Sequence, residues 1–426
     1  MLKHLKLKNI GPAPNMALAL GERLNLITGD NGLGKSFLLD IAWWALTRKW
    51  PAEINARLAV GKKALPRSAG AASIDFAITA NQGTEEYSSS FLRREQAWAG
   101  PQGRPAHPGL VFYAMADGSF AVWDSARNYW RTKDGVDVQE RAPAYVFNQT
   151  EVWDGLISAD GQWLCNGLIR DWASWQKENG AAFKSLCAVL AVLSPSVAEP
   201  LVPGALTRIS LDDVRDMPTI RMAYDQEVAV AHASSGMRRI IALAYFLVWS
   251  WEEHQKAARL LDEPTTNQVI FLIDEVESHL HPQWQRKIVP ALLGVMGKLI
   301  KQAKVQIIAA THSPLIMASV EPLFDAGKDA WFDLDIVRKK VILTRREFEK
   351  HGDVESWLMS EAFDQESGRS PEYEILINKA AALMEKAQPG AVAIRKMNDD
   401  LVAALNPKDD FLFRWRYICK QKGWLS

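Results

Sequence analysis

The sequence predicts an α/β protein built on a parallel core sheet, with an antiparallel β subdomain, a short helical insertion and a helical carboxy-terminal region. Three observations predict it. The β-like run 24–28 passes through a glycine-rich turn directly into apolar residues at helical spacing. From about 235 to 309 a long apolar helix, a strand, a second helix and a second strand follow one another, the alternation of a parallel sheet. Between about 70 and 148 the texture is one of short β-like runs separated by turn residues.

In chain order, residues 1–28 read as short strands. A helix follows on Phe37, Leu38, Ile41, Ala42 and Ala45 and fades at Thr47-Arg48-Lys49 before Pro51. Runs at 73–78, 110–115, 120–123 and 144–147, with Asp117-Gly118 as a hairpin turn, predict one antiparallel region. Pro101, Pro105 and Pro108 among Gly100, Gly103 and Gly109 mark an exposed loop inside it. Residues 156–196 read as helical up to Ser194-Pro195, and Pro200 and Pro203 as linker signals. A long helix is expected over 235–255, a strand over 269–273, a helix over 282–303 and a strand over 305–309. Beyond Gly- and Ser-bearing breaks near 366–370, helical patterns cover 372–387 and 391–404.

Composition sets the outer limits. With 426 residues, the chain predicts one large unit carrying insertions or two associated units. Fifty basic against fifty acidic residues give zero formal charge, which excludes a bulk positive field for holding nucleic acid non-specifically. The longest apolar run, 240–249, lies between Arg238-Arg239 and Glu252-Glu253 and is too short to span a bilayer, so no membrane role is expected. Three scattered cysteines and the lack of an export signal point to a reducing, cytoplasmic setting.

Gly29-Asp30-Asn31-Gly32-Leu33-Gly34-Lys35-Ser36 fits G-x-x-x-x-G-K-S and sits where that motif must sit, after a strand and before a helix. Its glycines let the backbone curl so that successive N–H groups and the helix N-terminus point at phosphate oxygens. Lys35 supplies a mobile positive charge to the β and γ phosphates, and the Ser36 hydroxyl one coordination position of Mg²⁺. The apolar run 269–273 ends in Asp274-Glu275, the form of a buried parallel strand delivering carboxylates to the sheet's C-terminal edge. Asp274 there holds Mg²⁺ directly or through water, and Glu275 is placed to act as general base on an attacking water. Asp262-Glu263-Pro264 competes for the same role, but the polar segment 252–259 before it cannot form a buried strand.

The order of these motifs, with Gln149 after a β region, Ser234-Ser235-Gly236 opening a helix and Thr311-His312-Ser313-Pro314 after a strand, resembles the ABC-type ATPase heads of the RecF/SMC group over about residues 1–345. More narrowly it is similar to the RecF-like AAA ATPases of bacterial anti-phage operons of the Septu, retron-associated and OLD types. The resemblance implies ATP and Mg²⁺ as ligands. It makes Gln149 the Q-loop residue that touches Mg²⁺ and the attacking water. Ser235 and Gly236 become the signature, which faces the γ phosphate held by another head; the usual second glycine is absent. His312 becomes the switch histidine that hydrogen-bonds the γ phosphate. Glu277-Ser278-His279-Leu280-His281-Pro282 resembles the D-loop where two subunits meet, with zinc binding by Glu277, His279 and His281 as the alternative.

The resemblance divides the chain into an ATPase lobe over 1–150, a helical lid insertion over 151–215, a second ATPase lobe over 216–345 and a helical accessory or partner region over 346–426. SMC-type proteins carry long coiled arms between Gln loop and signature. The stretch from 149 to 235 suffices for at most a helical hairpin on the order of 50 Å, at about 1.5 Å per residue. OLD-type enzymes add a Toprim nuclease; Asp333 and Asp335 resemble its paired acids, but without the Glu-Gly element they read as strand-end acids, and no nuclease activity is assigned. The late run 411–417 interleaves aromatic and basic residues, which either stack bases or pack a terminal helix; packing is expected, because the aromatics would otherwise form an exposed patch. The expected function is an ATP-binding and hydrolysing dimeric switch, the ATPase or sensor subunit of an anti-phage complex. Its partners are a second copy of itself, a separate effector (nuclease or toxin) and, as a candidate, DNA. A RecF-like DNA-repair ATPase and an ATP-dependent scaffold with negligible turnover are the rival readings.

Overall fold

The computed structural model describes residues 1–80, 83–100, 107–127, 130–133, 136–139, 144–158, 160–363, 365, 367–386 and 389–425. They form two units, Met1–Trp357 and Leu358–Ser426.

The larger unit begins with β1 (Leu2–Lys8) and β2 (Asn15–Ala19), where buried and exposed residues tend to alternate as in a sheet with one covered face. β3 (Leu24–Gly29) differs: it is buried along nearly all its length and feeds through the glycine-rich turn into α1 (Lys35–Thr47). β4 (Ser73–Ala80) and β5 (Gly83–Leu92) return to β1, so that β2, β1, β4, β5 and the short pair Ala97–Trp98 make an antiparallel sheet.

The core sheet collects β6 (Leu110–Ala114), β7 (Phe120–Trp123), β8 (Ala144–Phe147), β9 (Gln268–Ile273), β10 (Lys304–Ala310), β11 (Ala330–Val337) and β12 (Lys340–Arg346) around β3, in the order β8-β7-β6-β9-β10-β3-β11-β12. The five central strands β6, β9, β10, β3 and β11 run parallel, and antiparallel strands flank them on both sides. Parallel strands need cover on both faces, which is why β9 is buried from end to end. Ile270, Leu272, Ile308 and Phe332 share one core cluster with Trp43 and Trp44 of α1. Removing a fully buried ring such as Trp43 costs about 3–5 kcal/mol, so this contact holds α1 firmly under the sheet.

Between β8 and β9 lie α2 (Leu168–Glu178), α3 (Ala181–Leu193) and α4 (Ser235–Leu261). At 11 and 13 residues, α2 and α3 reach about 16–20 Å at 1.5 Å per residue, well short of an arm. α5 (Ile288–Val295) and α6 (Pro314–Val320) follow β9 and β10. In the smaller unit, α7 (Pro371–Met384), α8 (Ala391–Ala404) and α9 (Asp410–Gln421) enclose Ala380, Ile394, Leu401, Leu412, Trp415 and Cys419. Among the described residues no helix is long and apolar enough to cross a membrane.

Several expectations are corrected. The region 70–148 is not one antiparallel subdomain: its first part joins the β1 sheet, while β6, β7 and β8 belong to the core sheet, β6 in parallel with β9. The reason is the unbroken burial of Leu-Val-Phe-Tyr-Ala, a two-sided rather than a one-sided strand. Residues 156–165 form a hairpin, Leu156–Ile157 with Trp163–Cys165, because Gly155 and Gly161 adopt positive φ and interrupt any helix. Val202–Pro203 is a strand rather than a linker, pairing with Thr219–Arg221, at an edge where proline costs no ladder bond. The helix expected over 282–303 breaks into Pro282–Gln285, α5 and a 3₁₀ turn, with Pro290 confined to the first turn of α5 and Gly294 and Gly297 weakening its continuation. Asp333 is no strand-end acid: it lies buried within β11, accepting from the Thr28 hydroxyl at 2.7 Å and pairing with Arg346 at 3.3 Å. In α9, Leu412 and Trp415 pack as expected, but Phe413 and Tyr417 remain 74% and 57% exposed. Pro101, Gly103 and Pro105 lie outside the described residues.

Candidate functional site

The site grows from strand order. β10 lies between β3, which ends at the glycine-rich turn, and β9, which ends at Asp274-Glu275. Three parallel strands therefore deliver Lys35, His312 and the two carboxylates to the same edge of the sheet.

In the turn, Gly29, Gly32 and Gly34 take φ of 127°, 78° and 102°. Gly29 has a second constraint: a Cβ there would stand 2.2 Å from the Leu334 carbonyl oxygen of β11, so a side chain is excluded on steric as well as torsional grounds. Asn31 and Ser36 are exposed, whereas Lys35 is buried. The Lys35 ammonium donates to the Gly29 and Asp30 carbonyls at 2.6 and 2.7 Å. Burial lowers its pKa from the usual lysine value, against the opposing pull of Asp274, Asp30, Glu277 and Glu275.

Asp274 is 4% exposed and continues the ladder beyond β9, its N–H donating to Ala114 at 2.9 Å. Burial raises its carboxyl pKa, a hydrogen bond from Ser36 lowers it, and the neighbouring Glu275 charge raises it. Glu275 is half-buried with φ of 46°, a left-handed conformation unusual for a non-glycine residue, which turns the chain sharply after the strand. Glu277 accepts from the Thr311 hydroxyl at 2.7 Å and from the His312 N–H at 2.6 Å, tying the segment after β9 to the segment after β10. The His312 imidazole has a lowered pKa, first from burial and then from Lys35, against the opposing carboxylates Glu277, Glu275 and Asp30, which favours its neutral form. The Glu277 carboxylate is thus committed to Thr311 and His312, and among the described residues no group of three or more His, Cys, Asp or Glu side chains is set to hold a metal.

A second group gathers beside the first, at the start of α4. Gln149 begins the short helix Gln149–Asp154, fixed by a capping box in which Asn148 accepts from Glu151 N–H at 3.0 Å and Glu151 accepts from Asn148 N–H at 2.9 Å. Its side-chain amide donates to the Asp117 carbonyl. Ser234 caps α4, so that Ser235 and Gly236 form its first turn. A Cβ on Gly236 would lie 2.4 Å from the His279 carbonyl oxygen, so glycine is required by close approach to the segment after β9. Gln149, Ser235, Arg238, Arg239 and His279 line a cavity of about 150 Å³. Of the residues singled out in the sequence, the structure brings Lys35, Ser36, Asp274, Glu275 and His312 together and places Gln149 and Ser235 around this other cleft.

Two residues of the site carried no recognised signal in the sequence. Arg239 of α4 donates to the carbonyls of Asp274 at 2.8 Å, Glu275 at 3.3 Å and Ala116 at 3.3 Å. Burial lowers its pKa, while the surrounding carboxylates oppose that effect. The second of two arginines just before the apolar run 240–249 was the available clue. Asp40 of α1 accepts from the Tyr113 hydroxyl at 2.9 Å, and burial, with the Asp274 charge, pushes its carboxyl up to about 7.

Phosphate-loop backbone with three positive-φ glycines, a buried lysine at its end and a serine joined to a buried strand-end aspartate are a donor set that fits a magnesium nucleotide. Fold and site together define a P-loop ATPase. Residues 24–318 match the family described as "AAA domain, putative AbiEii toxin, Type IV TA system", and the chain belongs to that family. It is 25% identical to the Septu protein PtuA of Bacillus thuringiensis over 387 residues, 88% of this chain and 86% of that protein. It is also 25% identical to a retron Ec83 probable ATPase of Escherichia coli, over 51% of this chain and 36% of that protein. The SMC head domain from Thermotoga maritima superposes with a TM-score of 0.40 at 15% identity, covering 81% of this chain and 99% of that one. The resemblance to Septu and retron ATPases read from the motifs is therefore borne out.

Proposed function

We propose that this ATPase works as a nucleotide-gated dimeric switch in bacterial anti-phage defence, acting with a separate effector protein. Its similarity to Septu PtuA and to a retron ATPase supports the defence setting. One observation carries the dimeric reading: Ser235 and Gln149 line a cleft to which none of Lys35, Ser36, Asp274 and His312 contributes. A signature that meets a γ phosphate then has to come from a second copy, and the insertion over 151–215 serves as the lid between the two.

In this reading the loop N–H groups and Lys35 would hold ATP, and Ser36 and Asp274 would hold Mg²⁺, with Gln149 as a further ligand. The bound ion supplies charge neutralisation on the phosphates. Glu275 takes the proton of the attacking water, and neutral His312 donates a hydrogen bond to the γ phosphate. The Gln149 amide nitrogen is engaged by the Asp117 carbonyl, and its Oε1 is the atom that would take the metal. Glu277 fixes the backbone that carries His312. No nuclease step is assigned to this chain; its effector is a nuclease or a toxin.

The test is light scattering of Glu275→Gln with ATP and Mg²⁺. A nucleotide-dependent dimer is expected. A nucleotide-bound monomer that hydrolyses ATP at the wild-type rate would remove the dimeric reading.

A further inference from the structure

The smaller unit has its own core, to which α9 contributes Leu412, Trp415 and Cys419. The opposite face of the same helix presents Phe413 at 74% and Tyr417 at 57% exposure. These rings stand four residues apart, hence on one face and about 6 Å apart along the axis. Arg414, Arg416 and Lys420 share that exposed side against one exposed carboxylate of the helix, Asp410 in its first turn, while Lys422 beyond its end donates to the Met384 carbonyl at 2.7 Å.

Of the other cations in this unit, Lys379, Arg395, Lys396 and Lys408 are exposed and two are used internally. Arg369 pairs with Asp409 at 2.6 Å, for example, which leaves that carboxylate engaged at the cap of α9. The protein's zero net charge makes a local run of this kind conspicuous.

Solvent-facing aromatic rings cost hydration, and solvent-facing cations beside them attract an anionic chain. A partner with flat apolar faces strung on a regular phosphate backbone satisfies both at once. The ring spacing is close to twice the roughly 3.4 Å base step, enough for a base between the rings or one on each. We infer that the outer face of α9, through Phe413 and Tyr417 with Arg414, Arg416 and Lys420, binds single-stranded nucleic acid by stacking and phosphate contact. A duplex, with its bases already stacked, meets only the cations and binds less well. This surface owes nothing to the nucleotide site and stands whether or not the chain is a dimeric switch.

The experiment is fluorescence anisotropy of the full chain with a labelled oligothymidylate of about 20 nucleotides and with a duplex of the same length, between about 50 and 200 mM salt. Phe413→Ala/Tyr417→Ala is expected to weaken single-strand binding at least about tenfold, with circular dichroism and ATP binding unchanged. Phe413→Trp keeps the stacking face and retains affinity. Arg414→Gln/Arg416→Gln reduces the slope of log affinity against log salt by about 1.4. No binding of the oligothymidylate, equal affinity for the duplex, or wild-type affinity in the double alanine variant overturns the inference. So does a double variant that loses self-association while keeping strand affinity, which gives the face to a protein contact.

Discussion

Asp40→Asn isolates the electrostatic cost of building the site. The carboxyl lies on α1 one turn beyond Lys35, accepts from Tyr113, and is pushed from its ordinary 3.8 up to about 7, chiefly by burial. A carboxyl with a raised folded pKa holds its proton in the native state where the unfolded chain has lost it. The folded state therefore binds more protons between about pH 4 and 7, and stability falls as pH rises through that window. At 1.36 kcal/mol per pH unit, the rise from 3.8 to about 7 amounts to about 4 kcal/mol, reached in full above pH 7. The amide oxygen that the substitution introduces can still accept from Tyr113, but the new side chain never ionises. Urea unfolding followed by tryptophan fluorescence should give similar stability for variant and wild type near pH 4. The variant should become more stable relative to wild type as pH rises, approaching that ceiling by about pH 8. A stability difference that does not change with pH would refute the assignment of burial as the cause.

Other outcomes follow from the same geometry. Lys35→Ala should abolish binding of a fluorescent ATP analogue, and micromolar binding by the variant would remove the phosphate-loop reading. Glu275→Gln should slow phosphate release at least about 100-fold in a malachite green assay, and an unchanged rate would exclude Glu275 as base. Gly236→Ala forces a Cβ to 2.4 Å from the His279 carbonyl and should destabilise by about 1–3 kcal/mol in thermal melts. Arg239→Met takes the donor from the Asp274 and Ala116 carbonyls, while Glu275 keeps the Ser278 N–H at 2.8 Å, and an unfolding free energy lower by about 2–3 kcal/mol is expected.

Legibility in the sequence followed chemistry. The loop 29–36 and Asp274-Glu275 could be read because phosphate and metal chemistry demand particular residue types at fixed spacing next to apolar runs. The rejection of Asp262 as a metal acid also holds: it ends α4 in a left-handed conformation rather than ending a strand. β6 was assigned to the wrong sheet because five consecutive buried residues look alike in a local hairpin and in a long-range parallel pairing. Arg239 and Asp40 were missed for a related reason. Their roles depend on carbonyls and hydroxyls brought from 35 and 73 positions away, which no local pattern encodes.

Arg239 grips carbonyl oxygens, not side chains. Such a clasp has no acidic proton to gain and no competing ion to exchange, so neither mild acid nor salt loosens it. The first turns of α4 and the strand end bearing Glu275 consequently travel as one solid piece. Anything that leans on the helix shifts Glu275 with it.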